Sequence, residues 1–506
     1  MPTWSDKLLQ EVIRALLEAY FEPQFSDASH GFRPERGCHT ALEEVATNWT
    51  GTTWFIEGDI AQCFDRIDHE VLLSILGEHI HDQRFLRLLS NLLQAGYLED
   101  WKYNTTLSGT PQGAVLSPIL ANIYLDRFDQ FVEGHLKPAY TRGAKRRPSK
   151  AYEALRQRTV KARKRGDKKK ARHLQTQLQR MPSMETHDPA YRRLRYIRYA
   201  DDWLIGFIGP KEEAEEIKRA IGEFLRDTLK LELSQEKTLI THARSEAARF
   251  LGYEIVTQHA DGKHDHHGHR KVNGTIGLRV PAEVITNACR RYMEGGKTTA
   301  RYELIHDEDF SIVSRYQAEY RGLVQYYLLA QNVSWFWTLH WRMKSSLLKT
   351  LACKHGRSQT AIAHQFAANV QTPDGTMKCL QVVVEREGKK PLVAQFGGIP
   401  LRRQKGRFLI DRNPLSTIRY GRNELVKRLL ASRCELCGAQ EHIEVHHLRK
   451  LADLKKQGQK DRPEWVKLMA ARRRKTLVVC RKCHQAIHAG KLQHPIRKTS
   501  LESRVR

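Results

Sequence analysis

The sequence contains no uninterrupted apolar run as long as a membrane-spanning helix, which argues against a membrane-spanning protein, and no membrane partner is expected. Its amino terminus is polar and has no apolar region of the signal-peptide type, so the expected location is the cytoplasm. The number of cysteines is also odd, so they cannot all form disulfides with one another. There are nine, and four of them form two CxxC pairs, which indicates a reducing compartment and a metal site instead of a disulfide framework.

Acidic residues are scarce relative to basic ones. The chain of 506 residues has 57 Asp and Glu against 85 Lys and Arg, which gives a formal net charge of +28. A surplus of this size predicts a polyanionic partner, because basic side chains release counterions when they neutralise phosphates. Hydrophobic residues at 40% and aromatic residues at 8% are ordinary for a globular protein, and the length predicts two to four domains.

The strongest local signal is the stretch 196–208, YIRYADDWLIGFI, in which two adjacent acids separate two apolar runs. Both runs are rich in aromatic and β-branched residues, which predicts a hairpin with Ala200, Asp201 and Asp202 at its bend. Adjacent carboxylates at the tip of an apolar hairpin are costly unless a cation neutralises them. The pair therefore predicts a cation site.

A third acid that suits this site occurs in 54–76, WFIEGDIAQCFDRIDHEVLLSIL. The segment 54–60 is predicted to be a buried strand with Asp59 near its end, and Phe64 follows at a bend. Asp59 could be a simple turn former, or it could be a third carboxylate beside the acidic pair. The residues alone leave both interpretations open.

Two other turns carry residues suited to ligand binding. In 30–42, HGFRPERGCHTAL, Arg33 and Arg36 bracket a proline and could grip a triphosphate, although a solvated turn is the simpler interpretation. The segment Gly109–Gly113 is a Gly/Pro turn whose backbone can approach a ligand closely, and a helix is predicted to start at Ser117.

The composition changes sharply between residues 141 and 180, where basic residues dominate and large apolar residues are almost absent. Such charge runs usually form a solvated face or a disordered arm. Because this one interrupts an otherwise compact unit, it is predicted to be a basic surface insertion that binds phosphates.

Beyond the central stretch, a short strand is predicted beside Lys237 and another strand at 248–256. The helical region that follows contains three tryptophans close together, Trp335, Trp337 and Trp341. Aromatic residues at helical spacing are mostly core residues, so burial is predicted for them and not a stacking platform.

The carboxy-terminal segment contains CELC and, further on, CRKC within TLVVCRKCHQAIH. The two pairs supply four thiolates that can close one tetrahedral zinc site, namely Cys434, Cys437, Cys480 and Cys483.

A separate set of histidines accompanies these cysteines. His446 and His447 end a short apolar strand, and His484 and His488 are spaced to share one helix face. Imidazoles can ligate a divalent metal or take a proton from water, so this second set favours a nuclease over a purely structural zinc finger.

Together these stretches resemble the group II intron-encoded reverse transcriptase/maturases that carry a carboxy-terminal HNH endonuclease domain. The blocks HGFRPERGCH, FIEGDIAQCFDRIDH, SGTPQGAVLSPILANIYLDRFD and YIRYADDW follow that family's polymerase motifs in order, and LELSQEKT and RFLGYEI match its later motifs. RYQAEYRGLVQYYLLAQN is similar to the characteristic helix of the family's thumb or maturase region. The resemblance covers nearly the whole chain.

The resemblance implies an α+β multidomain fold, with a right-hand polymerase of palm, fingers and helical thumb/maturase domain plus a small zinc-containing ββα HNH domain. The expected ranges are 1–275 for fingers and palm with a basic insertion at 137–195, 276–420 for the thumb/maturase and DNA-binding region, and 425–506 for the HNH domain. The implied protein is an RNA-directed DNA polymerase that also aids splicing and nicks DNA. Its implied partners are group II intron RNA, target DNA and deoxynucleoside triphosphates (dNTPs).

For the polymerase site, the resemblance implies two Mg²⁺ ions held by three carboxylates and one backbone carbonyl, those of Asp59, Asp201, Asp202 and Ile60. Phe64 occupies the position expected to exclude a ribose 2′-hydroxyl. The remaining implied ligands are Arg33 and Arg36 for the triphosphate, Gln112 and Gly113 for the nascent base pair, and Lys237 for the primer end.

For the HNH domain, the resemblance makes His447 the candidate general base and assigns a divalent metal, Mg²⁺ or Mn²⁺, to His446, His484 and His488. Thr476 stands where many HNH domains carry Asn, so the middle residue of the motif is left open.

A second departure concerns the family's fingers, in which a further segment precedes the counterpart of residues 1–10. An alternative interpretation is therefore a truncated, polymerase-deficient maturase that acts only as an RNA splicing factor. A reverse transcriptase of bacterial defence is a third interpretation, which the HNH module and the maturase-like stretch disfavour.

Overall fold

The computed structural model describes residues 4–95, 97–99, 102–104, 108–109, 114–185, 188–263, 266, 270, 272–372, 375–386, 389–404, 432–447, 465–466, 469 and 476–489. The chain divides into two compact units. One comprises Met1–Phe25, Gly113–Ile119 and Arg412–Arg506, and the other comprises Ser26–Gln112 and Leu120–Asp411. None of the helices in the described ranges is long and apolar enough to cross a bilayer.

Helices contain more of the described residues than strands do. The α-helices are α1 Trp4–Phe21, α2 Cys38–Asn48, α3 Cys63–Arg66, α4 His69–Gly77, α5 Gln83–Leu93, α6 Ser117–Phe131, α7 Lys137–Ala139, α8 Lys150–Lys164, α9 Lys168–Arg180, α10 Lys211–Leu229, α11 Ala282–Arg290, α12 Asp309–Tyr326, α13 Phe336–His355, α14 Gln359–Gln365 and α15 Arg481–His488. A π-helical turn spans Val132–Leu136, and two 3₁₀ turns span Tyr302–Leu304 and Val333–Trp335.

The strands form six small sheets. They are β1 Trp54–Asp59, β2 Tyr97–Glu99, β3 Lys102–Asn104, β4 Arg193–Tyr199, β5 Asp202–Ile208, β6 Leu239–His242, β7 Ala248–Phe250, β8 Tyr253–Thr257, β9 Ile276–Arg279, β10 Met293–Glu294, β11 Lys297–Thr298, β12 Ala367–Thr372, β13 Gly375–Arg386, β14 Lys389–Phe396, β15 Ile443–His447 and β16 Thr476–Cys480. The sheet orders are β4-β5-β1-β6, β7-β8-β9, β12-β13-β14, β2-β3, β10-β11 and β15-β16.

The four-stranded antiparallel sheet β4-β5-β1-β6 holds the acidic stretch of the larger unit. β1 and β5 are buried along almost their whole length, because both faces of these strands are covered, and the buried positions of β1 include the carboxyl group of Glu57. The predicted hairpin is present as β4 and β5. Its bend is shorter than predicted, since only Ala200 and Asp201 form it, and Asp202 is already the first residue of β5, opposite Tyr199.

The single strand predicted at 248–256 is wrong, because the chain turns back within it. β7 and β8 pair with each other across Leu251 and Gly252, whose φ angles are +48° and +71°. The apolar residues on both sides of the turn continue one pattern, so periodicity does not reveal the reversal. Glycine adopts such a positive φ without the steric penalty of other residues.

The basic segment between 141 and 180 folds as a helical hairpin and not as a disordered arm. The Ser149 hydroxyl accepts a hydrogen bond from the amide of Tyr152 and caps α8, and the Asp167 carboxylate does the same for the amide of Lys170 in α9. Small buried residues, among them Ala162 and Ala171, allow such helices to pack closely. Most other side chains of the two helices are exposed.

The helices α11 to α14 share one hydrophobic core with the sheet β12-β13-β14. The buried side of α13 includes Phe336, Leu339, Met343, Leu347 and Leu351. Burial of the three tryptophans, however, is a wrong prediction. Trp335, Trp337 and Trp341 are 52%, 63% and 60% exposed, because the smaller apolar residues between them already supply the buried face.

The carboxy-terminal part has the ββα arrangement predicted for it. β15 and β16 pair in antiparallel fashion, and α15 follows β16 directly. Its core includes Leu436, Met469, Leu477, Val479 and Ile487.

Candidate active sites

Three acidic residues meet at one edge of the central sheet. Asp59 is the last residue of β1, and it is the register partner of Asp202, the first residue of β5. Asp201 lies in the two-residue turn that leads into β5. The strand pairing therefore brings together carboxyl groups that are far apart in the sequence.

The environment of these acids disfavours their simultaneous ionisation. Burial raises the pKa of Asp202 to about 6, helped by the nearby charges of Asp201 and Asp59. Burial and the charge of Asp59 also raise the pKa of Asp201. The exposed Lys237 ammonium donates a hydrogen bond of 2.7 Å to Asp59 Oδ2 and offsets part of the negative charge. Such a cluster is stabilised by added positive charge.

The turn that carries Asp201 has a strained backbone. Ala200 has a φ of +56°, a left-handed conformation that costs a non-glycine residue about 1–2 kcal/mol. The carbonyl of Ala200 accepts a hydrogen bond of 2.9 Å from Arg198 Nη1. Strained residues persist where the surroundings fix them, and here a buried guanidinium does so.

Arg198 is fully buried and connects the turn to two other parts of the larger unit. It donates to both carboxylate oxygens of Asp129, at 2.8 and 2.5 Å, and neither side chain is exposed to solvent. Further donors reach Ser29 Oγ at 2.9 Å and Asn122 Oδ1 at 3.3 Å. Burial alone would lower the pKa of Arg198, but Asp129 more than compensates and raises it.

Sequence reasoning missed Arg198 and its partners. Tyr196 also belongs to this group, because its hydroxyl donates to Asp129 at 2.7 Å. The available signal was weak, because β4 has three arginines in alternation with apolar and aromatic residues, and of these only Arg198 lies among fully buried positions, where a charge requires a partner. Its partner 69 residues away could not be identified from that signal.

An aromatic group lies beside the acidic turn. Phe64 in α3 meets Phe32 edge to face, with ring centroids 6.1 Å apart, and Phe32 in turn lies 6.4 Å from the ring of Tyr199. Phe32 is 49% exposed and has a φ of +58°. Gly31, its neighbour, lies so close to the turn that a Cβ there would be 2.3 Å from the amide of Ala200.

Several residues predicted for substrate binding have contacts within the protein. Arg33 is 5% exposed and donates to the carbonyls of Ser26 and Ser29, whereas Arg36 forms an ion pair of 2.7 Å with Asp27. These arginines stabilise the loop before α2.

Ile60 is buried directly after β1 and forms a bridge with Leu233. Gln112 and Gly113 lie outside the described residues.

In the carboxy-terminal part, the four cysteines of the two CxxC pairs converge. Their sulfur atoms all lie within 4.8 Å of one another, and Cys437 Sγ is 3.6 Å from Cys480 Sγ. Burial opposes the thiolate of Cys434, but backbone amides, including those of Cys437 and Cys480, donate to it and lower its pKa to about 7. Four converging cysteine thiolates are a donor set that fits Zn²⁺.

The histidines converge separately. His446 of β15 and His484 and His488 of α15 bring ring nitrogens within 4.8 Å of one another. The Glu444 carboxylate lies 2.7 Å from Nδ1 of His484 and also pairs with Arg481. A carboxylate on the second ring nitrogen is the usual way to orient a metal-binding histidine. His447 ends β15, opposite Thr476.

Family comparisons match three parts of the chain. Residues 1–255 match the family described as reverse transcriptase (RNA-dependent DNA polymerase), and residues 277–378 match type II intron maturase. Residues 434–484 match the AI2M/AI1M-like HNH endonucleases.

Curated proteins resemble the chain over most of its length. The group II intron-encoded protein LtrA of Lactococcus lactis subsp. cremoris is 37% identical over 518 residues, covering 97% of this chain and 83% of that protein. An uncharacterised 91 kDa protein in the cob intron of Schizosaccharomyces pombe is 33% identical over 96% of this chain and 60% of that protein. Among solved structures, telomerase from Candida albicans in complex with an RNA fragment covers 71% of this chain and 55% of that one, at 11% identity and a TM-score of 0.34.

Proposed function

The chain belongs to the family of group II intron-encoded proteins, and we propose that Asp59, Asp201 and Asp202 form its RNA-directed DNA polymerase site. The family carries reverse transcriptase, maturase and HNH endonuclease domains, and this chain has all three. The observation that supports the site is the register of β1 and β5, which puts Asp59 opposite Asp202 beside the turn of Asp201.

In this proposal the sheet β4-β5-β1-β6 is the palm, the loop before α2 belongs to the fingers, and α11 to α14 belong to the thumb/maturase domain. The proposed boundaries are 1–275 for fingers and palm, 276–420 for the thumb/maturase and DNA-binding region, and 425–506 for the HNH domain.

The donor set at the palm fits Mg²⁺, because this hard cation prefers carboxylate and carbonyl oxygens. Asp59, Asp201 and Asp202 would hold it, with the carbonyl of Ile60 as a further oxygen ligand. When bound, Mg²⁺ stabilises the charge on the attacking hydroxyl and on the triphosphate. The protein itself supplies the buried turn and the Arg198 contact that keep the carboxylates in place. We assign Lys237 to the primer end.

Phe64 is proposed to select dNTPs by excluding a ribose 2′-hydroxyl. Its contact with Phe32 restricts its ring from one side, so the ring has little freedom to move away from a bulkier sugar. We expect Phe64→Val to lower discrimination against ribonucleotides while leaving the carboxylates intact. Arg33 and Arg36 are proposed as triphosphate ligands, which requires Arg33 to leave the carbonyls of Ser26 and Ser29 and Arg36 to leave Asp27. Gln112 and Gly113 are proposed to face the nascent base pair.

The polymerase assignment is tested by primer extension on an RNA template with Mg²⁺. Asp201→Ala should abolish extension, because it removes a carboxylate from the proposed metal site. Asp227→Ala is the matched control. Asp227 is an exposed acid, and within the described part of the chain it forms an ion pair with its neighbour Arg226. Equal extension by wild type and Asp201→Ala would contradict the assignment. Splicing by purified wild type without any DNA synthesis would favour the splicing-only alternative.

The nucleic-acid partners are proposed to be group II intron RNA and target DNA. The charge of +28 favours polyanions, and the α8–α9 hairpin presents a dense set of exposed basic side chains to them. Replacing Lys168, Lys169 and Lys170 at the start of α9 by alanine should reduce the salt dependence of RNA binding.

For the HNH domain we propose a structural Zn²⁺ on the four cysteines and a divalent cation, Mg²⁺ or Mn²⁺, on His446, His484 and His488. The carboxylate of Glu444 would fix the ring of His484 for this role. His447 is proposed to take the proton from the attacking water. His447→Ala should abolish DNA nicking while primer extension survives, and joint loss of both activities would mean that the two sites are not separable.

A further inference from the structure

The helix α13 has an aromatic face that its packing leaves exposed. Trp337 and Trp341 are 63% and 60% exposed, and Lys344 is exposed as well. With about 100° per residue, the two tryptophans point about 40° apart and Lys344 points beside them. We call these three residues the Trp face. Phe336, Leu339 and Met343 occupy the opposite, buried side of the helix.

Both rings are held in place from one side. The guanidinium of Arg342 lies 4.9 Å from the ring centre of Trp341, and the ring of Trp337 lies 5.1 Å from that of His340. His340 is itself stacked on Phe396, at an interplanar angle of 11°. An aromatic ring that is already positioned loses little conformational entropy when a ligand stacks on its open side.

The charges around the Trp face favour an anionic partner. The 20 residues of α13 include Arg342, Lys344, Lys349 and Lys354 and no acidic residue. Lys354 pairs with Asp309 near the carboxy-terminal end of the helix, so the Arg342 and Lys344 charges beside the tryptophans are the relevant ones. Exposed aromatic rings interleaved with cations are the arrangement that binds single-stranded nucleic acid.

The spacing of the rings suits bases that are separated from one another. Four residues along a helix rise about 6 Å, whereas stacked bases follow each other at about 3.4 Å. Two neighbouring bases therefore cannot remain stacked while each contacts its own tryptophan. We propose that Trp337 and Trp341 stack on unpaired RNA bases and that Lys344 contacts the adjoining phosphate. RNA is chosen because residues 277–378 match an intron maturase, so this proposal rests on the proposed function.

The test is the affinity of the full chain for a fluorescein-labelled, unpaired 16-nucleotide RNA of mixed sequence, measured by anisotropy at about 200 mM salt, where phosphate contacts are weakened. Trp337→Ala and Trp341→Ala should each weaken binding about tenfold, as expected for loss of one base–aromatic stack. Trp341→Phe should retain most of the affinity because it keeps a ring. RNA carrying 5-iodouridine should crosslink to Trp337 or Trp341.

Trp335→Ala is the matched control. Trp335 is 52% exposed on the same chain segment, but it belongs to the 3₁₀ turn Val333–Trp335 that precedes α13 and not to the Trp face. Its replacement should leave both RNA affinity and primer extension at the wild-type level. The same RNA annealed to its complement should bind wild type and the Trp337→Ala/Trp341→Ala variant equally, since paired bases do not offer their faces.

Unchanged affinity of the double variant for unpaired RNA, with an unchanged melting temperature, would overturn the proposal. A loss of self-association in light scattering without a change in RNA affinity would overturn it too, and would assign the face to a second copy of the chain. If wild type binds RNA through the tryptophans but does not extend a primer, only the polymerase function fails. If wild type extends a primer and binds RNA independently of the tryptophans, only this inference fails.

Discussion

At the scale of single residues, Asp202 lies where burial and neighbouring carboxylates disfavour its charged form. Its pKa in the folded protein is about 6, above the ordinary value of 3.8, so the folded state binds its proton more tightly than the unfolded state. The free energy of unfolding therefore falls as the pH rises from about 4 to about 6. With a discount for partial exposure, we expect Asp202→Asn to stabilise the metal-free protein at pH 7 by about 1 kcal/mol.

This prediction is checked by thermal unfolding in the presence of a chelator. The melting temperature of Asp202→Asn should exceed that of wild type at pH 7, and the difference should shrink near pH 4, where the wild-type carboxyl is largely protonated. Asp227→Asn, an exposed acid, is the control and should not gain stability in this way. A variant that is less stable than wild type at pH 7 would contradict the argument. Primer extension should be lost in the same variant.

Arg198, in contrast to Asp202, is expected to stabilise the folded protein, because it is a buried charge with a partner of opposite charge. Removing one member of a buried ion pair leaves the other uncompensated, and Arg198→Met is expected to cost about 3–5 kcal/mol. The double variant Arg198→Met/Asp129→Leu should recover part of that loss in urea unfolding, since it leaves no unpaired charge. Arg226→Met, which breaks an exposed ion pair with Asp227, is the control and should be nearly neutral. Equal stability of wild type and Arg198→Met would show that the pair is dispensable.

Arg198 also donates a hydrogen bond to the Ala200 carbonyl, so we expect its replacement to affect primer extension as well as stability. In Arg198→Lys the charge is kept, but a lysine cannot reproduce the fork of donors to Asp129, Asn122, Ser29 and Ala200. Primer extension by Arg198→Lys should therefore fall more than its stability does. If primer extension and stability fall in proportion, the role of Arg198 is purely structural.

At the scale of elements, the loop before α2 and the hairpin turn are fitted to each other at Gly31. A Cβ at this position would lie 2.3 Å from the amide of Ala200, which is backbone and cannot rotate away. Gly31→Ala should thus displace the turn and reduce primer extension by at least about tenfold, since small displacements of reacting groups are costly. Gly134→Ala is the control, because a Cβ at Gly134 would meet no atom within 4 Å. Full activity of Gly31→Ala would mean that the two segments are not coupled.

Elements that depend on local patterns can be predicted from the sequence, whereas those that depend on long-range pairing cannot. The hairpin around Asp201 followed from two apolar runs, which are local signals. The pairing of Asp59 with Asp202 depends on strand order, and nothing in either segment specifies it. The prediction of one strand at 248–256 is wrong because apolar residues on both sides of Gly252 continue one pattern. The tryptophans of α13 were mispredicted because hydrophobicity alone does not say which of two apolar faces packs inward.

At the scale of the whole molecule, the chain combines chemistries that need different donor atoms. Oxygen ligands at Asp59, Asp201 and Asp202 suit a hard cation, and sulfur ligands at the CxxC pairs suit Zn²⁺. These sets belong to different compact units. Loss of one should therefore leave the other intact, apart from any effect of weakened nucleic-acid binding.

The independence of the two units can be tested through the cysteines. Cys480→Ser should lower the zinc content of the purified protein and abolish nicking, because Cys480 is one of the four proposed zinc ligands and directly precedes the helix of His484. Primer extension should stay within about twofold of wild type, as expected for distant and independent sites. Cys353→Ser is the matched control, since Cys353 is exposed in the other unit and belongs to neither cysteine pair. If Cys480→Ser retains its zinc, Cys480 is not a zinc ligand. If primer extension is lost together with the zinc, the unit that contains the cysteines supports the polymerase fold.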